Sequence, residues 1–349
     1  MNLIARINWI KNHIKLRLPG GAVYERVKDL TFNKKEILED ELKVFYYWLH
    51  RYESIYKIVY KGAKFSEGEL DIFYNWLNQN YLSEDKTHYI IVVDAVPIKI
   101  PIPNIPNRLS YQWQIFDLIF SYKLGYPELT VPFLEGPYEY GSIKVKAGDV
   151  VLDVGANYGL FSAYASSKGA TTYAFEPIPE LCNNQLKLVA DLNPGINIIQ
   201  KALCDKVGEE LFRIEEDHFG ESMLTNEKEN ATLVETDTLD NFCKNFNKLD
   251  FIKGDIEGSE LRLLEGGRRV IKEFKPKIVL CNYHHFWDSR RIANLIKSIE
   301  PSYVIEHKWL KTYAHSPKEV DTQVKTPKFT NSSNQRLTKS HAFISKKSS

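Results

Sequence analysis

The stretch Val150-Val151-Leu152-Asp153-Val154-Gly155-Ala156-Asn157-Tyr158-Gly159 decides the fold of this chain. A short run rich in valine reads as a buried strand, and two glycines then open a turn into a helix. In doubly wound sheets, ligands sit outside the carboxyl ends of the strands, near the point where strand order reverses. The end of this strand therefore faces any bound ligand. Gly155 permits a sharp turn, and Gly159 admits close approach of backbone to ligand at the next helix. Asp153 stands where a dinucleotide pyrophosphate would need room without negative charge. A carboxylate there suits a cationic ligand that carries an amino group.

Outward from this turn, strand and helix alternate as in a parallel sheet covered on both faces. The pattern predicts strands at 150–154, 172–175, 196–200, 251–254, 278–282 and 303–307. Helices are expected at 159–168, 179–191, 237–246, 259–273 and 288–299. The second strand ends at Glu176, followed by Pro177, and a carboxylate at this place can accept both hydroxyls of a ribose. Just after the third strand, the small Ala202 leaves space for the face of a base. The segment 310–340 is polar, basic and poor in large apolar groups, which predicts a flexible loop or lid. A last strand is expected at 341–345.

The densest chemistry is Asp250-Phe251-Ile252-Lys253-Gly254-Asp255-Ile256-Glu257-Gly258-Ser259-Glu260, at a strand end and a helix start. Glu260 lies in the first helical turn, where the helix dipole favours an anion by about 0.3–1 kcal/mol, so capping accounts for it as well as function does. Asp255 and Glu257 need another reason, because crowded like charges cost stability unless a cation is near. The next strand ends Asn282-Tyr283-His284-His285. An imidazole titrating near neutrality can serve as a general base, with Asp255 the second choice. A metal held by these histidines with Asp255 or Glu257 is the less favoured arrangement, and none is expected.

The remainder of the chain supplies context. Residues 1–85 read as a helical, aromatic-rich region, with Leu42, Phe45, Tyr46, Leu49, Tyr52, Tyr56 and Val59 at helical steps, then a helix through Asn80. Such a region buries its stripe in a small bundle, or serves as a cap or partner surface. Residues 1–18 also carry apolar and basic groups at helical spacing, so a peripheral membrane contact stands as an alternative to packing on the body. Residues 86–134 form a connecting region with a strand at 88–93, where Pro97, Pro101, Pro103 and Pro106 then oppose regular structure, and a helix at 111–124. Lys+Arg at 46 nearly balances Asp+Glu at 45 over 349 residues, so no global field attracts nucleic acid. The four cysteines are far apart without a Cys-x-x-Cys pair, which fits a reducing, cytoplasmic setting.

Taken in order, Glu135-Gly136-Pro137-Tyr138-Glu139-Tyr140, Leu152-Asp153-Val154-Gly155-Ala156-Asn157-Tyr158-Gly159, Ala174-Phe175-Glu176-Pro177, Asp237-Thr238-Leu239-Asp240-Asn241-Phe242, the acidic stretch 250–260 and Tyr283-His284 resemble the FkbM-type methyltransferases. The resemblance runs from residue 135 to about 307. It implies a class I methyltransferase (Rossmann-like) domain over 135–349 that uses S-adenosylmethionine and methylates a hydroxyl of a sugar, glycan or secondary metabolite. By position, Asp153, Gly155, Asn157 and Gly159 would line the methionine side of the donor, and Glu176 the ribose. Asp255, Glu257 and His284 would face the acceptor. Gly254 departs from the family, which has a larger apolar residue there. Rival readings are a nicotinamide oxidoreductase, which would want glycine in place of Asp153, an N-methyltransferase acting on nucleic acid or protein, and a non-catalytic scaffold. The resemblance leaves the acceptor and the oligomeric state open.

Overall fold

The computed structural model describes residues 67–102, 108–124, 136–214, 222–227, 231–284, 288–308 and 310–317. Expectations for residues 1–66, for His285 and for the strand at 341–345 lie outside the described residues, as does the 318–340 part of the expected lid.

Seven strands make the main sheet, in the order β12-β13-β11-β10-β3-β4-β5. They are β3 (Val150–Val154), β4 (Thr171–Phe175), β5 (Ile196–Ile199), β10 (Phe251–Gly254), β11 (Lys277–Cys281), β12 (Val304–Lys308) and β13 (Lys311–His315). β3 pairs in parallel with both β4 and β10, so strand order reverses beside it. β13 runs antiparallel to β11 and β12. Side-chain alternation divides the core between the two faces. Val151, Phe251, Val279 and Tyr313 point to one side, and Leu152, Val154, Ile252, Ile278 and Leu280 to the other.

Helices flank both layers. The Leu160–Ser167 helix packs on the first face, and the Asp288–Ile299 helix buries Ile292, Ile296 and Ile299 on the second. Two expected helices are broken. The 179–191 helix divides at Asn184 into Pro179–Asn183 and Gln185–Leu192. The 259–273 helix divides at Gly266-Gly267 into Glu260–Glu265 and Arg268–Phe274. At Gly266 a Cβ would lie 2.0 Å from the Cys204 carbonyl oxygen, so only glycine lets the break pack against the Cys204–Asp205 backbone.

Three expectations need correction. The lid prediction fails over Lys311–His315, which is a buried strand inserted between β11 and β12. The prolines do not prevent a strand at Val96–Pro101 (β2), which pairs with His88–Val93 (β1) as an isolated hairpin. Pro97 and Pro101 share one side of β2, and a strand with a single partner tolerates proline where no ladder donor is needed. Residues 202–238 also hold an unforeseen four-stranded sheet, order β6-β9-β7-β8, built from Ala202–Cys204, Gly208–Arg213, Met223–Leu224 and Ala231–Thr238. The hairpin and the Arg108–Leu124 helix share a core with Tyr158, Phe161 and Tyr164.

Candidate active site

The turn after β3 is tied down from several sides. Gly155 and Ala156 both donate their N–H groups to the Phe175 carbonyl, at 3.0 and 2.9 Å. Gly155 adopts φ +74°, and a Cβ there would lie 1.9 Å from the backbone oxygen of Asp255. Only glycine lets the turn after β3 touch the loop after β10 this closely. Gly159, at φ +81°, opens the next helix, where a Cβ would meet Leu186 at 2.5 Å.

Asp153 is fully buried, and its partners differ from those expected. Oδ2 accepts from Ser162 Oγ at 2.6 Å, while Oδ1 lies 3.0 Å from Lys253 Nζ. Lys253 is its cross-strand neighbour in the β3–β10 register and also donates to the Gly155 carbonyl at 2.6 Å. The cation beside Asp153 is thus supplied by the chain itself, and Asp153 supports the turn instead of meeting a ligand's amino group. Burial alone would lower the Lys253 pKa, yet Asp153 and Asp255 hold it above the ordinary lysine value.

Glu176 lies next to the same turn. Its Oε2 accepts from the Asn157 N–H at 2.9 Å and its Oε1 from the Ile178 N–H at 3.0 Å. Burial pushes its pKa up to about 7, against those two hydrogen bonds. Asn157 takes φ +50°, and its buried side-chain oxygen accepts no hydrogen bond. A buried polar atom without a partner is costly unless a ligand supplies one. Asn157 Oδ1 in the turn after β3 therefore fits a ligand with an N–H or O–H group. Ala202 follows the end of β5 and begins β6.

Across the Gly155–Asp255 contact stands the acidic cluster. Asp255 Oδ2 accepts from Tyr138 Oη at 2.8 Å, and Oδ1 lies 3.5 Å from Tyr283 Oη. Burial opposes its charge, but Lys253, His284 and Lys311 hold its pKa below the ordinary carboxylate value. Glu257, at φ +51°, places Oε1 3.3 Å from His284 Nε2. Burial pushes the Glu257 pKa up to about 7. Glu260 Oε1 lies 3.2 Å from His284 Nδ1 and accepts from the Ile256 N–H at 3.2 Å, so Glu260 serves both as a local cap and as the histidine's partner. Burial would lower the His284 pKa, but Glu260 and Glu257 raise it well above the ordinary value. Glu257 and Glu260 thus stand on the two nitrogens of the His284 ring and fix its orientation.

The sequence-predicted residues therefore gather in two adjoining groups. Asp153, Gly155, Asn157, Gly159 and Glu176 form the first, and Asp255, Glu257 and His284 the second. Lys253, Tyr138, Tyr283 and Lys311 were missed. Lys253 had a signal, since a lysine inside an otherwise apolar parallel strand must find a buried anion. Lys311 is fully buried and carries its Nζ 4.3 Å from the centre of the Tyr138 ring. Gly254 is accommodated by Leu280, whose Cδ2 would lie 2.4 Å from a Cβ there.

The strand order, with one antiparallel strand inserted between β11 and β12, and a glycine turn at the reversal point define a class I methyltransferase domain. Residues 153–319 match the methyltransferase FkbM domain. Class I and FkbM methyltransferases use S-adenosylmethionine. No curated protein matches the chain. Similar solved structures include methyltransferase FkbM from Methylobacillus flagellatus KT, 26% identical over 59% of this chain and 54% of that one, with a TM-score of 0.39. The chain thus spans about half the length of that protein. Others are precorrin-6y C5,15-methyltransferase from Geobacter metallireducens GS-15 (11% identity, 49% of this chain and 81% of that one, TM-score 0.31) and the Methanococcus jannaschii fibrillarin pre-rRNA processing protein (13%, 50% and 69%, TM-score 0.32).

Proposed function

We propose that this chain transfers a methyl group from S-adenosylmethionine to a hydroxyl of a sugar, glycan or secondary metabolite. What supports this reading is the close approach of the turn at Gly155 to the Asp255 backbone, where a Cβ on Gly155 would lie 1.9 Å from the carbonyl oxygen. When bound, S-adenosylmethionine supplies an electrophilic methyl group on a sulfonium that departs as a neutral thioether once an acceptor oxygen takes the methyl.

The chain's own residues then have two tasks. Asn157 and the Glu176-braced turn position the donor, and holding both reactants in line is worth more here than covalent help. The acceptor hydroxyl must lose its proton. Asp255 is engaged by Tyr138 and Tyr283, and His284 is paired with two carboxylates. Glu257 has one oxygen against His284 and keeps a second for the proton, so it is the acceptor of that proton in this reading.

A paired substitution tests the division of labour. Glu257→Gln is expected to lower turnover by about 10²–10⁴-fold, the usual worth of a general base, with affinity for S-adenosylhomocysteine unchanged by calorimetry. Glu176→Ala is expected to weaken that affinity first. Absence of any calorimetric heat from the unsubstituted chain with this ligand would overturn the proposed function.

A further inference from the structure

We propose that Asp255, Glu257 and His284 hold a divalent cation of the Mn2+ type, which binds the acceptor oxygen; this rests on the methyl-transfer reading only for its role, not for its site. One ligand atom from each residue lies within 4.8 Å of the others. Ligands on opposite sides of an octahedral ion of this size stand about 4.2 Å apart, so small side-chain rotations close the set. Glu257 Oε1 and Asp255 Oδ1 lie 3.3 and 4.0 Å from His284 Nε2.

A second observation, the burial and aim of the histidine, points the same way. The His284 ring is 6% exposed, and its Nε2 faces the Glu257 and Asp255 carboxylates at 3.3 and 4.0 Å without a hydrogen bond of good geometry to either. Its plane leans on Tyr283, ring centres 4.2 Å apart, which fixes the direction of Nε2. On the far side, Nδ1 faces Glu260 Oε1 at 3.2 Å. A metal-bound histidine commonly has its other nitrogen against a carboxylate in this way, and that partner orients the ring. Mixed carboxylate and single-imidazole donors suit Mn2+ better than soft cations. The arrangement departs from the sequence-based expectation of no metal, which considered the ligands without the Glu260 partner. Glu257, bound through one oxygen, retains the other for the proton of the hydroxyl.

The test is a titration of the full chain, first stripped with chelator, with Mn2+, following free Mn2+ by electron paramagnetic resonance. One saturable equivalent is expected, weakened at least about tenfold in His284→Ala and Glu257→Gln, and about 10–100-fold in Glu260→Gln, whose effect runs through the ring. Circular dichroism of each variant establishes that it is folded. No saturable binding, or equal binding by unsubstituted chain and Glu257→Gln, overturns the metal site. S-adenosylhomocysteine affinity of the stripped chain, measured separately, bears on the donor site alone, so failure of the cation site and failure of the methyl-transfer reading are told apart.

Discussion

At the scale of single residues, two buried acids near the donor turn behave differently because their partners differ. Asp153 faces a lysine and a serine, whereas Glu176 faces two backbone N–H groups. Hydrogen bonds alone do not offset burial for Glu176, and its pKa rises to about 7. A carboxyl group whose folded-state pKa is raised binds a proton more tightly in the folded than in the unfolded chain. Its contribution to stability is fully present below the ordinary carboxylate pKa and is lost as pH rises through about 7. Chemical denaturation should therefore show the unsubstituted chain losing stability from about pH 5 to about pH 8 relative to Glu176→Gln. A constant difference between the two proteins across that range would show that Glu176 is ionised throughout.

At the scale of elements, the Arg268–Phe274 helix shows how a distant part of the chain can supply the partners a helix end lacks. The Arg268–Phe274 helix has no cap from its own flanking side chain. Instead Asp240 accepts from the N–H groups of Arg269 and Val270, at 3.0 and 2.9 Å. Asp240→Ala should cost about 0.5–2 kcal/mol, the range for loss of an N-terminal cap, in the free energy of urea unfolding. An unchanged midpoint would mean that water caps this end equally well. Asp240 was legible only as part of a resemblance, because its contact spans 29 residues of sequence. The four-stranded sheet escaped the sequence reading for a related reason. Glu209, Glu235 and Leu233 on its strands are solvent-exposed, so it lacks the apolar runs that marked the buried parallel strands.

At the scale of the whole molecule, the last described strand connects the sheet to the segment that precedes it. Tyr313 donates to the Pro137 carbonyl, and Tyr138 beside it reaches Asp255. β13 thereby ties in the segment that reaches the acidic cluster, in a region whose composition suggested an open loop. Tyr313→Phe should destabilise the fold by about 1–3 kcal/mol, because the buried carbonyl loses its partner. Hydrogen exchange over 136–145 should rise with it; unaltered protection there would disconnect β13 from this segment.

From its residues alone, the chain declared the alternation of parallel strands and helices, the donor turn at 153–159, the acid at 176 and the cluster at 255–260. These are carried by short-range patterns, since apolar period, glycine placement and strand-end acids are properties of neighbouring residues. Which cation meets Asp153, which carboxylates enclose His284, and where Lys311–His315 enters the sheet were decided by tertiary structure. The Asp153–Lys253 and Glu260–His284 pairings join residues 100 and 24 positions apart, and their energies depend on burial and distance, which no local pattern encodes.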